Sequence, residues 1–190
     1  MAQRLVLVRH GETEWSREGR HTGRTDIPLT PHGEEQARAL QQRLADYSFA
    51  AVLCSPLQRA RRTCELAGYG DAAQLDDDLR EWDYGGYDGM TLAQIRAERP
   101  GWNLWDDGGP GGESLDHVAA RAGRVIARAR AAGGDVLLFG HGHILRVLTA
   151  LWLELPPHAG QHFVLGPAAP SVLGYEHEWT AMRSWNPSGS

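Results

Sequence analysis

Three runs along the chain lack any charged or hydrogen-bonding side chain: Leu5-Val6-Leu7-Val8, Ala51-Val52-Leu53-Cys54 and Val136-Leu137-Leu138-Phe139. A strand with one wet face alternates apolar and polar positions. These runs do not alternate, so they predict strands covered on both faces, the habit of a parallel sheet. Each is followed at once by a polar or glycine turn and then by a helical pattern, which is the βα repeat of a layered α/β protein.

Helix signals punctuate the same pattern. In Thr30-Pro31 the hydroxyl can cap free amides while proline fills the first turn, and Ser55-Pro56 repeats the device. A third helix starts at Ser114, puts Leu115, Val118, Ala119, Ala122, Val125, Ile126 and Ala129 on one face, and stops at Gly133-Gly134. Arg121, Arg124, Arg128 and Arg130 fall on its other sides and read as a solvated surface. Residues 84–113 turn glycine-rich and aromatic, with a short helical pattern over 91–98 ended by Pro100, and read as an insertion that covers a site. After Pro156-Pro157 come β-like runs around 162–165, 171–175 and 179–185, and residues 187–190 have the composition of a frayed tail. A chain of 190 residues with 42% hydrophobic content sustains one core, so residues 1–186 are expected to form a single domain.

Charge and cysteine usage narrow the function classes. A net charge of -5 offers no positive field to a polyanion, so no nucleic-acid partner is expected, while a small anion remains compatible with cations gathered locally. Cys54 and Cys64 have neither zinc-site spacing nor the number for a disulfide framework, and read as reduced thiols. No run is long enough for a membrane span or a signal peptide, which predicts no membrane partner and a cytoplasmic address.

Candidate chemistry gathers where the apolar runs end. The first run leads into Arg9-His10-Gly11-Glu12-Thr13, and ligands in open α/β sheets collect at the carboxyl ends of strands. Arginine presents a planar fork to phosphate oxygens, histidine a neutral nitrogen nucleophile, and glycine a close backbone approach. The third run ends in Gly140-His141-Gly142-His143, which brings a second glycine-flanked histidine to the same edge. In Ser55-Pro56-Leu57-Gln58-Arg59-Ala60-Arg61-Arg62-Thr63, Arg59 shares a face with Arg62 or Thr63 and reaches back over the strand ends from the third or fourth position of a helix. Glu81, beside Trp82 and Tyr84, is a candidate proton donor whose pKa burial would raise; the preceding Asp76-Asp77-Asp78 reads as a solvated acidic loop.

The blocks at 9–13, 55–63, 79–85 and 140–142 occur in the order of the histidine phosphatase superfamily, which this chain resembles. Trp15-Ser16, Thr22-Gly23, residues 26–30 and Gly112-Glu113-Ser114 look like that family's phosphoglycerate mutase branch. The resemblance implies a three-layer α/β/α sandwich with a mostly parallel central sheet, and a reaction that needs no metal and no cofactor. It implies that His10 accepts the phosphoryl group, that Arg9, Arg59 and His141 hold its equatorial oxygens, and that Glu81 is the acid and then the base. Gly11, Ser16, Thr22, Gly23, Tyr84 and Gly142 match positions lining the substrate or phosphate pocket. A protonated Glu81 beside a neutral His10 predicts a mildly acidic pH optimum.

Residues 76–85 and 102–108 resemble the sedoheptulose bisphosphatase-like branch, which suggests small phosphorylated metabolites, sugar bisphosphates in particular. Tyr87-Asp88-Gly89 departs from it by carrying a shorter carboxylate where many relatives have glutamate. The nearest alternative is a cofactor-dependent phosphoglycerate mutase, although Asp88, Asp106, Asp107 and Glu113 make the covering segment less basic than a mutase's. A phosphoprotein phosphatase, a non-catalytic phosphate-binding module and a metallohydrolase on His10, His141, His143 and Glu81 rank lower. A homodimer is left open.

Overall fold

Alternate side chains of an extended run leave a sheet in opposite directions, so an all-apolar run needs a core on each side. The computed structural model, which describes residues 2–187, has both. The strands are β1 (Leu5–Arg9), β2 (Ala51–Cys54), β3 (Ala73–Leu75), β4 (Val136–Gly140), β5 (Ser171–Glu176) and β6 (Trp179–Ser184). Leu5, Leu7, Leu53, Val136 and Leu138 enter one buried cluster, while Val6, Val8, Val52, Cys54, Leu137 and Phe139 enter the other. Each such side chain contributes roughly 1.5–3 kcal/mol by leaving water.

The sheet order is β3-β2-β4-β1-β5-β6. The first four strands run parallel, and β5 and β6 are added antiparallel. The helices are α1 (Glu14–Arg17), α2 (Pro31–Arg43), α3 (Gln58–Leu66), α4 (Leu92–Glu98), α5 (Leu104–Asp107), α6 (Leu115–Ala131) and α7 (Gly142–Trp152). Side chains of α6 and α7 fill the first cluster and those of α2 and α3 the second, which gives the expected α/β/α layers. Among the described residues no helix is long and apolar enough to cross a membrane.

The caps at Thr30 and Ser114 form as the sequence predicts, accepting from Gly33 N at 3.0 Å and His117 N at 3.3 Å. The Ser55-Pro56 device does not. Helix α3 begins at Gln58, its N-cap Leu57 makes no side-chain cap, and Arg59 therefore lies in the first turn. The hydroxyl of Ser55 instead meets His141 Nε2 at 2.8 Å. The β-like run at 162–165 is a correction too: a 3-10 turn spans Pro157–His162, and no strand follows until β5. Its backbone is claimed by side chains, since Trp185 Nε1 donates to Val164 O and Arg9 Nη1 to Leu165 O.

Residues 84–113 carry α4, α5 and a 3-10 turn, and are pinned to the core by Tyr84, Tyr87, Ile95, Trp102, Leu104 and Trp105. Gly109 and Gly112 allow this segment to press on the chain before it: an added Cβ would lie 1.9 Å from Tyr84 O and 2.2 Å from Asp83 O respectively. The arginines of α6 are not a free solvated face. Arg124 pairs with Asp78, and Arg128 with Asp76 and Asp78, so the acidic run is clamped to the helix. Of the expected tail, Pro187 O accepts from Arg43, and residues 188–190 lie outside the described residues.

Candidate active site

Strands β1 and β4 lie side by side with Arg9 opposite Gly140, so the residues that follow them emerge together. His10 N donates to Gly140 O at 3.0 Å, and the rings of His10 and His141 lie 5.2 Å apart between centroids. Both are buried.

The hydrogen bonds fix the tautomers. Gly11 O can only accept, so the 2.7 Å contact puts the proton on His10 Nδ1 and leaves Nε2 with its lone pair. Arg59 Nε donates to His141 Nδ1 at 3.2 Å, so the proton of that ring is on Nε2, facing Ser55 Oγ. Burial, then the charges of Arg59 and Arg9, hold the His10 pKa well below the ordinary value. Burial and Arg59 do the same to His141. Both shifts favour the neutral ring near pH 7, which leaves the His10 Nε2 lone pair available.

Arg59 is fully buried and closely held. Besides His141, it donates through Nη1 to Thr25 O at 2.9 Å and through Nη2 to Thr22 O at 3.0 Å and Gly23 O at 2.9 Å. Four of a guanidinium's five donors are thereby used. Thr63, on the buried face of α3 with Arg59, accepts from Gly11 N at 3.0 Å and steadies the His10 turn; Arg62 points outward to Glu34. Arg9 is different. Its Nη1 donates to Leu165 O, but its buried Nε makes no hydrogen bond among the described residues.

Glu81 sits across the site at the start of α7. Its carboxylate accepts from Trp82 N at 2.9 Å, His143 N at 3.0 Å and Ile144 N at 3.0 Å. Burial favours the neutral acid, but hydrogen bonding to His143 outweighs it and holds Glu81 well below the usual carboxylate range. The expected upward shift is therefore reversed. Tyr84 OH lies 2.6 Å from His143 Nδ1, and burial together with the Glu81 charge pushes the phenol well above its ordinary value.

These groups surround a cavity of about 100 Å³, lined by Arg9, His10, Ser16, Arg20, Thr22, Glu81, Tyr84, Gly142, His143, Arg146 and Leu165. Its volume is roughly that of three waters in the liquid, enough for a phosphoryl unit. A larger hollow of about 410 Å³ near Arg4, Tyr47 and Arg183 holds no nucleophile.

Of the sequence-predicted residues, Arg9, His10, Ser16, Thr22, Glu81, Tyr84 and Gly142 reach the cavity wall. Arg59 and His141 are fully buried and do not line it, although the His141 ring lies 5.2 Å from that of His10 and Arg59 bonds to His141. Gly11 and Gly23 also lie behind the wall, for steric reasons: an added Cβ would meet Gly33 O at 2.4 Å and Trp82 O at 2.9 Å. Among the aromatic residues from Trp82 to Trp105, Tyr84 alone is in the wall, and Trp82, Tyr87, Trp102 and Trp105 are packing. Arg20, Arg146 and Leu165 were not predicted, and His143 was named only as a ligand of the lower-ranked metallohydrolase. Arg146 had a signal, one helical turn after Gly142; Arg20 had none. Among the described residues no three histidine, cysteine or carboxylate side chains are grouped to hold a metal ion.

The family model of the histidine phosphatase superfamily (branch 1) matches residues 5–188. An acid phosphatase of Mycobacterium tuberculosis is 41% identical over 178 residues, covering 92% of this chain and 87% of that protein. Sedoheptulose 1,7-bisphosphatase of Saccharomyces cerevisiae is 37% identical over 188 residues, covering 82% of this chain and 69% of the yeast protein. A mycobacterial glucosyl-3-phosphoglycerate phosphatase, solved in complex with VO3, superposes with a TM-score of 0.88 at 31% identity, covering 98% of this chain and 100% of that one. With the motifs, the sheet and the matches in agreement, the chain belongs to branch 1 of the histidine phosphatase superfamily and is a phosphatase of that type.

Proposed function

We propose that the chain hydrolyses small phosphorylated metabolites, with sugar phosphates and bisphosphates the favoured class, through a phosphohistidine on His10. The observation that carries this reading is the pairing of an unengaged His10 Nε2 with a carboxylate across a cavity of phosphoryl size. In the first step Nε2 attacks phosphorus, the ester P–O bond breaks, and the leaving oxygen takes a proton through Glu81. In the second, Glu81 takes a proton from water, the water oxygen attacks phosphorus, and the P–N bond breaks to release inorganic phosphate.

Phosphoryl transfer depends chiefly on positioning and charge stabilisation. The buried Arg9 Nε is a ready donor to a phosphoryl oxygen. Arg59 supplies charge and orients His141, with one donor to spare for the phosphoryl group. No metal enters either step.

Two further cations in the wall, Arg20 and Arg146, favour a substrate with a second anionic group, as in a sugar bisphosphate. The sedoheptulose bisphosphatase and glucosyl-3-phosphoglycerate phosphatase among the relatives support that class.

Phosphate release across sugar bisphosphates, sugar monophosphates and phosphoglycerates, compared between wild type and His10→Ala, tests the reading. Release from one or more of these esters that disappears in His10→Ala is expected. Isomerisation of 3-phosphoglycerate with catalytic 2,3-bisphosphoglycerate, without free phosphate, would establish a mutase instead.

A further inference from the structure

Helix α6 faces the segment that carries Glu81 with a row of arginines, and Arg121 is unlike its neighbours. The side chains of Arg124 and Arg128 are 55% and 42% exposed, whereas Arg121 is 13% exposed and its partner Glu113 20%. Arg121 Nε and Nη2 donate to the two carboxylate oxygens of Glu113, each at 2.8 Å. Its Nη1 donates to the carbonyls of Asp78 at 2.7 Å and Arg80 at 2.9 Å, and its Nη2 reaches Glu81 O at 3.5 Å.

Glu113 closes the grip from the other side of Glu81. Its carboxylate accepts from Asp83 N at 3.0 Å, its own N–H donates to Asp83 O at 2.9 Å, and its carbonyl accepts from Trp82 Nε1 at 2.9 Å. Residues 80–84 belong to no helix or strand, so no ladder satisfies or holds their backbone groups. The Arg121–Glu113 pair supplies that support from outside the cavity, and neither side chain lines it. A planar fork can bind a carboxylate with two donors while its other nitrogen holds carbonyls; an ammonium cannot.

We propose that Arg121, locked by Glu113, is a positioning residue for proton transfer: it holds the backbone around Glu81 so that the carboxyl meets the leaving oxygen. The inference rests on the phosphohistidine reading above, in which Glu81 delivers that proton. Misplacing Glu81 hurts an ester whose alkoxide departs only with a proton, and spares one whose anion departs unaided.

The test measures kcat/KM on the preferred sugar phosphate and on p-nitrophenyl phosphate for wild type, Glu81→Gln, Arg121→Lys, Glu113→Gln and Arg124→Ala, with circular dichroism to verify folding. Arg121→Lys and Glu113→Gln are expected to lose about tenfold or more on the sugar phosphate and no more than about twofold on the aryl ester, in the direction of Glu81→Gln. Arg124→Ala, which breaks a neighbouring ion pair, is expected to keep the wild-type ratio. Equal losses on both esters in folded protein, or none, overturn the inference, and Glu113→Gln decides it should Arg121→Lys not fold. Phosphate release by wild type that survives His10→Ala overturns the underlying chemistry instead, which separates the two failures.

Discussion

A carboxylate that accepts three backbone amides, two of them at the start of a helix, gives up its proton readily, and Glu81 is ionised in the free site near neutral pH. In the proposed reaction the proton for the leaving group then arrives with the substrate. A phosphate monoester carries one below its second pKa of about 6, and an added anion beside Glu81 shifts that proton toward the carboxylate. The falling limb of kcat/KM is therefore expected to lie near pH 6 and to follow the second pKa of each ester, roughly unit for unit, across a series of substituted phosphates. A limb that stays fixed while the ester's pKa changes would assign the proton to the enzyme. Glu81 was legible as a carboxyl beside aromatic rings, and burial alone argues for a raised pKa. The bonding to His143 that reverses the shift comes from a helix far along the chain, and no local pattern announces it. Arg121 was hidden for the same reason, because its face of α6 looks solvated until the acidic segment folds against it.

At the scale of elements, the turn after β1 is held by a glycine pair. An added Cβ on Gly33 would lie 2.1 Å from Glu12 O, and one on Gly11 would lie 2.4 Å from Gly33 O, so α2 and the His10 turn touch through bare backbone. Gly33→Ala is expected to destabilise the fold by about 1–3 kcal/mol and to lower activity by moving the turn, although Gly33 is not in the cavity wall. Gly123→Ala, in α6, meets nothing within 4 Å and is expected to stabilise by about 0.5–1 kcal/mol with activity unchanged. Urea unfolding of the two variants beside wild type distinguishes these effects, and equal midpoints would contradict both. The long elements were legible because several local signals agree in each: apolar runs for β1, β2 and β4, hydroxyl caps for α2 and α6. Ser55 does not cap α3 because the helix begins only at Gln58, with the Ser55 hydroxyl turned to His141, and β3 gave no signal because its three residues are half-buried or exposed at an edge.

For the molecule as a whole, three imidazoles weigh on stability. His10, His141 and His143 are held below the ordinary value of 6.5, first of all by burial. As pH falls through about 6.5 the unfolded chain takes up protons on these rings and the folded one does not, so stability is whole above that pH and declines below it. Glu81, with a depressed pKa, adds a loss at lower pH, complete only below its folded value. The thermal midpoint is expected to fall as pH is lowered from about 7 to about 5, and a flat midpoint over that span would contradict the neutral, buried state of the rings. The layered architecture was legible because a covered parallel sheet leaves a plain mark on composition. The walls of the cavity were only half legible, since Arg20 and Arg146 are brought in by packing rather than by motif.

The register that sets Arg9 opposite Gly140 ties the alignment of the two imidazoles to the central seam of the sheet, where both of their turns begin. A slip of one residue along that seam would send the nucleophile and its neighbour to opposite sides of the layer. Warming that parts this central seam would separate the two imidazoles and stop cleavage of every ester alike, whereas small shifts around Arg20 and Arg146 would change which esters are admitted.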